Sequence, residues 1–483
     1  MSEIKTLIKQ SSHYLAGRLI IMAAGFISFP ILTRIFSVSD YGTLGLISTT
    51  LFIALAVGKF GFPNSIVRYY AEFKANKQLD RFYSTIFWGS LLLTAVIGII
   101  FVLVAQLILK HYWREDIAIL LTLVAMLIVI NAMSDILTCF MRAEQRTKIY
   151  NGIAIIGRYG SLAASIFFTF YIFKGLYGFY IGQVISGAII YLIIFYYFQG
   201  KRKISLNKFS PDFFKAIIRY GFPLIWVELG ALILNYADRY LIQIYLGTTA
   251  LGIYTAGYNL ATYVNDMMIY SISYAMDPIY MNILVNKGEN ETKIFFAKTF
   301  RYYLLIMLPI VFGFIAVGDN LLLFLASSKY IEAAPVLPYI IIGQLVHACA
   351  LILNSGLFIS KKTHLIANIT FISCLLNIGL NVLLIPIFGI VGSAQATLIS
   401  YVFFTGVITY YAFKEFSFKI DVKNISIYLV ASLVMFFIVK NIHAGSHLSS
   451  LIGQVSSGVI IYSVIVLLLD REIRANLIEI VKK

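Results

Sequence analysis

The sequence predicts an all-α integral membrane protein of about fourteen transmembrane helices, arranged as two related six-helix lobes around a central cavity plus two further C-terminal helices. Three observations carry this prediction. Apolar stretches recur from near residue 13 to residue 470, basic residues alternate in abundance from one connection to the next, and early segments reappear at offsets of 210 and 214.

The first observation is compositional. Of 483 residues, 60% are hydrophobic and 12% charged, with a mean hydropathy of +0.87, far from the balance of a soluble domain. A helix needs about 20 apolar residues to cross the hydrocarbon core. On that measure spans fall near 13–36, 41–61, 83–108, 117–140, 152–173, 175–198, 221–245, 250–276, 294–317, 333–357, 364–385, 389–413, 424–440 and 449–469. Turn-forming residues punctuate them, among them Ser39-Asp40-Tyr41-Gly42, Gly247-Thr248-Thr249 and Pro386-Ile387-Phe388-Gly389. The first apolar stretch is too long for a signal peptide and lacks a small-residue cleavage site, so the N-terminus reads as retained. Cys139, Cys349 and Cys374 all lie in apolar segments without a CxxC pair, which suggests neither a disulfide framework nor a metal site.

The second observation orients the chain. Of the 38 lysines and arginines, 28 fall in alternate connections, including Arg68 to Arg81, Lys201 to Arg219 and Lys287 to Arg301. The opposite connections hold only Lys110, Arg114, Lys174, Lys329 and Lys440. This split places both termini in the cytoplasm and supports an even number of spans. It also accounts for the net charge of +16 by topology and anionic headgroups, which removes the reason to invoke nucleic acid.

The third observation is the repeat. Ile35 to Leu44, joining spans one and two, is echoed by Tyr245 to Tyr254, joining spans seven and eight, at an offset of 210; Gly175 to Ser186 is echoed by Gly389 to Ser400 at 214. Spans six apart point the same way through the membrane, so the two lobes are parallel repeats about an axis along its normal. The expected division is 1–200 for spans one to six, 201–415 for spans seven to twelve, and 416–483 for the terminal pair and tail. A substrate site is expected between the lobes near mid-membrane, served by alternating access.

The segment ILTRIFSVSDYGTLGL (31–46), its echo ADRYLIQIYLGTTALGIYTAGYNLA (237–261) and the fourteen-span plan resemble the polysaccharide or O-antigen-type (Wzx-like) flippases. These belong to the superfamily that also holds MATE multidrug exporters and lipid II flippases. The resemblance covers nearly the whole chain and implies a MATE-like fold in a bacterial cytoplasmic membrane. It implies a substrate of undecaprenyl-diphosphate-linked oligosaccharide moved to the outer leaflet for polysaccharide biosynthesis. The implied partners are membrane lipids, H⁺ or Na⁺ and polymerase machinery, with no cofactor and no enzymatic activity. Family members hold the anionic head on basic residues of the early helices, and Arg18 on span one is the match in position. The basic residue that lipid II flippases carry on span eight is missing between Ala250 and Met276, which argues against lipid II itself.

Ionisable residues inside spans cost roughly 2.5 to 3.5 kcal/mol each on insertion scales, so they mark candidate function. Arg18, Arg158, Asp135, Glu228 and Asp266 each lie within about ten residues, or about 15 Å, of the cytoplasmic end of their helix. Arg18 and Arg158 are the candidate contacts for the diphosphate head. Asp135, Glu228 and Asp266 are candidates for ion coupling or for pairing within the cavity. Alternatives stand beside each: Arg158 pairing with Asp135, Arg18 snorkelling to the interface, and Glu228, the repeat equivalent of Arg18, as a structural residue. Arg34 and Lys59, at helix ends, read as interface anchors. Asp238 and Arg239 are adjacent, point to different sides of a helix and need separate partners. Pro30 and Pro223 are candidate hinges, a static kink being the other reading, as it is for Pro309.

Two other functions compete. A MATE-type cation-coupled antiporter would share the fold, but span one has Arg18 where such carriers use carboxylates. A membrane glycosyltransferase or polymerase would need a larger external loop than Gly318 to Glu332. No GxxxxGK[ST] motif is present, which fits transport driven without ATP.

Overall fold

In lipid every backbone N–H and C=O must be satisfied within the chain, so a sequence this apolar crosses the bilayer as helices or as a closed barrel. The computed structural model describes the backbone of residues 2–105, 117–201, 204–442 and 447–475. It describes the side chains of these except 2–16, 18, 117–119, 201, 266–275 and 277–278. Among the described residues there is no strand. The helices are α1 (Ser2–Ile35), α2 (Val38–Gly58), α3 (Phe62–Ala75), α4 (Leu79–Val104), α5 (Ile117–Ala143), α6 (Thr147–Tyr171), α7 (Leu176–Lys201), α8 (Pro211–Tyr236) and α9 (Asp238–Lys287). They continue as α10 (Glu289–Leu325), α11 (Leu337–Leu353), the short α12 (Ser355–Ile359), α13 (Thr363–Glu415), α14 (Val422–Lys440) and α15 (His447–Leu469).

Eleven stretches of the described residues are long and apolar enough to span a membrane. Two are too long for one crossing: Thr363–Glu415 has 53 residues and Pro211–Asn265 has 55, about 80 Å of helix against a core of about 30 Å. Backbone breaks divide them, at Gly389 (φ 61°) in α13 and at Gly247 (φ 82°) in α9. With those divisions and the shorter apolar segment Leu19–Ile35, the described residues hold fourteen apolar helical segments, consistent with the count that the hydropathy predicts. Gly175, the repeat equivalent of Gly389, also has a left-handed φ of 77°, so the two repeats turn alike at the level of single dihedrals.

The chain forms two compact units, one of Met1–Ser28 with Thr43–Arg239 and one of Phe29–Gly42 with Tyr240–Lys483. The first is built on an aromatic core. Phe82 and Tyr83 of α4, Phe140 of α5, Phe198 of α7 and Phe213 of α8 are all buried, with Tyr83 edge-on to Phe140 at 4.7 Å. Such pairs add about 0.5–1.5 kcal/mol each beyond area burial. α3 is amphipathic: Phe62, Ser65 and Ile66 are buried while Arg68 and Lys74 are exposed. Pro30 and Pro223 lie inside α1 and α8, which run on through them.

In the second unit α11 packs on α13, and α10 packs on both α14 and α15. The terminal pair is held by Arg301 of α10. Its guanidinium donates to the Tyr428 hydroxyl at 2.9 Å and to Asp470 at 2.7 Å, pairs with Asp421 at 3.4 Å and also bonds Glu472. The Tyr428 hydroxyl donates to the same Asp470 carboxylate at 2.5 Å. Arg301 and Asp470 are both buried. The sequence counts Arg301 only as a loop charge that sets topology; the fold makes it the hub joining spans nine, thirteen and fourteen.

Candidate functional site

The first unit gathers three intramembrane charges. α2 ends at Gly58, and the Lys59 amide still donates to the Leu55 carbonyl at 2.9 Å, placing a cation at a helix C-terminus, where the dipole favours it. Phe60 and Gly61 then turn the chain with positive φ into α3. At that turn α8 comes close: a Cβ on Gly61 would lie 2.4 Å from the Gly221 carbonyl oxygen, so no side chain fits between the two backbones. Seven residues further along α8, about 10 Å of rise, is Glu228. Its Oε1 lies 3.2 Å from Lys59 Nζ. Asp135 of α5 approaches the same ammonium at 3.9 Å. The side chains of Lys59, Glu228 and Asp135 are 20%, 40% and 53% exposed.

Lys59 is therefore not a simple interface anchor. It stands between the two carboxylates that the sequence singles out, and this cluster carries one negative charge in excess. Among the described residues Asp135 pairs with Lys59 and makes no ion pair with Arg158. Arg158 is exposed on α6, with no ion pair among the described residues.

Arg18 and Asp266 have side chains outside the described residues, but the backbone of α1 around Arg18 is placed. A Cβ on Gly17 would lie 2.5 Å from the Asn151 side chain of α6, and the Tyr159 hydroxyl donates to the Ile20 carbonyl at 2.8 Å. α1 thus crosses α6 between Asn151 and Tyr159, and the turns bearing Arg18 and Arg158 adjoin.

Asp238 and Arg239, which the sequence expects to have separate partners, also meet each other. They pair with each other at 3.0 Å, and both are buried. α9 opens at Asp238, which puts both in its first turn. There the long arginine folds back onto its neighbour, onto the Asn235 carbonyl and over the Tyr236 ring.

Arg34 likewise does more than face an interface. It donates at 2.7 Å to the carbonyls of Phe324 and Leu325, capping the C-terminus of α10. Between α9, α10, α14 and α15 lies an apolar cavity of about 340 Å³, lined by residues such as Val264, Phe314, Met435 and Val459. Among the described residues no group of three His, Cys, Asp or Glu could hold a metal ion.

Comparison with known proteins agrees with this architecture. The profile of a family described as "Polysaccharide biosynthesis protein" matches residues 31–335. The chain is 24% identical over 274 residues to the probable low-salt glycan biosynthesis flippase Agl15 of Haloferax volcanii, a match covering 56% of this chain and 58% of Agl15. It is 20% identical over 489 residues to the succinoglycan biosynthesis transport protein ExoT of Rhizobium meliloti, covering 95% of this chain and 92% of ExoT. Among solved structures, the lipid II flippase MurJ superposes with a TM-score of 0.79 at 17% identity, over 95% of this chain and 99% of MurJ. A multidrug resistance MATE family transporter superposes at 0.65 with 15% identity, over 82% and 93%. At these identities the likeness to MurJ and MATE establishes the fold.

Proposed function

This chain belongs to the polysaccharide biosynthesis protein family, and we propose that it acts as a flippase for a polyprenyl-diphosphate-linked oligosaccharide. In this reading it carries the head group from the cytoplasmic to the outer leaflet of a bacterial cytoplasmic membrane by alternating access. The full-length likeness to a glycan transport protein and the partial likeness to a glycan flippase support the substrate class.

One observation in the molecule carries the reading furthest. Arg158 lies in a membrane-spanning helix without a carboxylate partner among the described residues, on the helix that α1 crosses beside Arg18. A cation kept at such a cost is ready for an anionic ligand, and a diphosphate supplies strong acceptors for arginine. About two negative charges leaving through an inside-negative potential of 100 mV gain roughly 4 to 5 kcal/mol, so the outward step needs no ATP. Asp135, Glu228 and Asp266 are the residues of this chain that would bind H⁺ or Na⁺ in the course of the transport cycle.

A MATE-type cation antiporter is the second reading, favoured by the excess carboxylate at Lys59. The test is to measure lipid-linked oligosaccharide facing the cytoplasm in cells lacking the protein. Accumulation that the wild-type chain reverses supports the flippase; unchanged lipid pools with altered drug sensitivity support the antiporter.

A further inference from the structure

The charge balance at Lys59 reaches beyond the two arginines. One ammonium faces two carboxylates, Glu228 at 3.2 Å and Asp135 at 3.9 Å. Among the described residues, Cys139, further along α5 beside Arg142, lies within reach of the charges of Lys59 and Asp135. A pair built for stability alone would enclose its carboxylates, yet Glu228 and Asp135 stay 40% and 53% exposed while the lysine is 20% exposed. The contact of Gly61 with Gly221 fixes the backbone beneath. Lysine is a compact point charge on a flexible four-carbon stem, so its ammonium can change partners while its Cα stays in place.

We infer that Lys59 is an exchangeable cation for the diphosphate: Asp135 and Glu228 hold its ammonium in the empty protein, the arriving diphosphate takes it, and the two carboxylates left behind bind one proton. The inference rests on the flippase reading. No covalent bond between heavy atoms is made or broken. An ammonium–carboxylate contact becomes an ammonium–phosphate contact, and a proton from the acid form of the buffer, which is left as its conjugate base, turns one carboxylate into a carboxylic acid. Two carboxylates brought together by a shared lysine do not both stay ionised once it leaves.

The test is calorimetric binding of undecaprenyl diphosphate to the full-length purified chain, in two buffers of different ionisation enthalpy at one pH. The wild type is expected to take up close to one proton per lipid bound. Lys59→Ala is expected to lose about tenfold or more in affinity while Lys59→Arg largely keeps it, and the double variant Asp135→Asn, Glu228→Gln is expected to bind with no proton uptake. Should Lys59→Ala fail to fold, as judged by its melting curve, the double variant decides. Wild-type affinity in a folded Lys59→Ala, binding without proton uptake in the wild type, or undiminished uptake in the double variant overturns the inference and leaves the flippase reading standing. Absence of any binding by the folded wild type removes that reading as well.

Discussion

Gly42 and Gly252, equivalent positions of the two repeats, meet backbone to backbone. A Cβ on Gly42 would lie 2.1 Å from the Thr248 carbonyl oxygen, and one on Gly252 would lie 2.0 Å from the Val38 carbonyl oxygen. Val38 and Thr248 are themselves 210 residues apart, so the contact is reciprocal, residue for residue. The two loop echoes that reveal the repeat in the sequence are the segments that touch.

Gly42→Ala and Gly252→Ala should therefore lower the melting temperature of the purified protein. A methyl group gains about 1 kcal/mol in helix propensity, but overpacking against a backbone oxygen costs typically 1–3 kcal/mol. Gly379→Ala and Gly406→Ala, which meet nothing within 4 Å, should be neutral or stabilising by up to about 1 kcal/mol.

The Arg301 hub predicts acid sensitivity. Burial pushes the Asp470 carboxyl up, and hydrogen bonds from the Tyr428 hydroxyl, the Arg301 guanidinium and the Ile473 amide outweigh it, holding it below the usual carboxylate range. A carboxyl depressed in the folded state contributes stability above its unfolded value of about 3.9 and loses it as pH falls through the folded value. Thermal melts should thus drop below about pH 4 in the wild type and lose that component in Asp470→Asn. Arg301→Ala, which strands buried Asp470, should cost about 3–5 kcal/mol.

Asp238 and Arg239 should behave as one unit. Asp238→Ala or Arg239→Ala leaves a buried charge without its neighbour and should each cost about 3–5 kcal/mol, whereas the double variant should cost clearly less than the sum. Additive losses in melting experiments would mean that each residue depends on other partners.

The fourteen spans were legible in the sequence because hydropathy, turn residues and the positive-inside bias are properties of single segments and their ends. The pairing inside the bundle was less so. Lys59 sits at a helix end, where snorkelling is the ordinary reading. Only the close passage of α8 at Gly221 brings Glu228 to it across 169 residues of chain. Asp421 before span thirteen and Asp470 after span fourteen lie at the same predicted membrane side as Arg301, a signal of the hub that the count of basic residues passes over. A helix points Asp238 and Arg239 to different sides, but the long arginine side chain bends back onto its neighbour's carboxylate. The Gly17–Asn151 contact that sets α1 beside α6 depends on tertiary packing that no local pattern in span one announces.

In the proposed flippase cycle, intramembrane cations and the membrane potential together move an anionic lipid head. Its most direct test is translocation of lipid-linked oligosaccharide in proteoliposomes holding only this chain, without nucleotide, under an imposed potential. Transport is expected to accelerate as the compartment the head leaves becomes more negative, and to be slowed about tenfold or more by Arg158→Ala, equivalent to about 1.4 kcal/mol or more. No transport by the purified folded chain, or an Arg158→Ala rate equal to wild type, would contradict it.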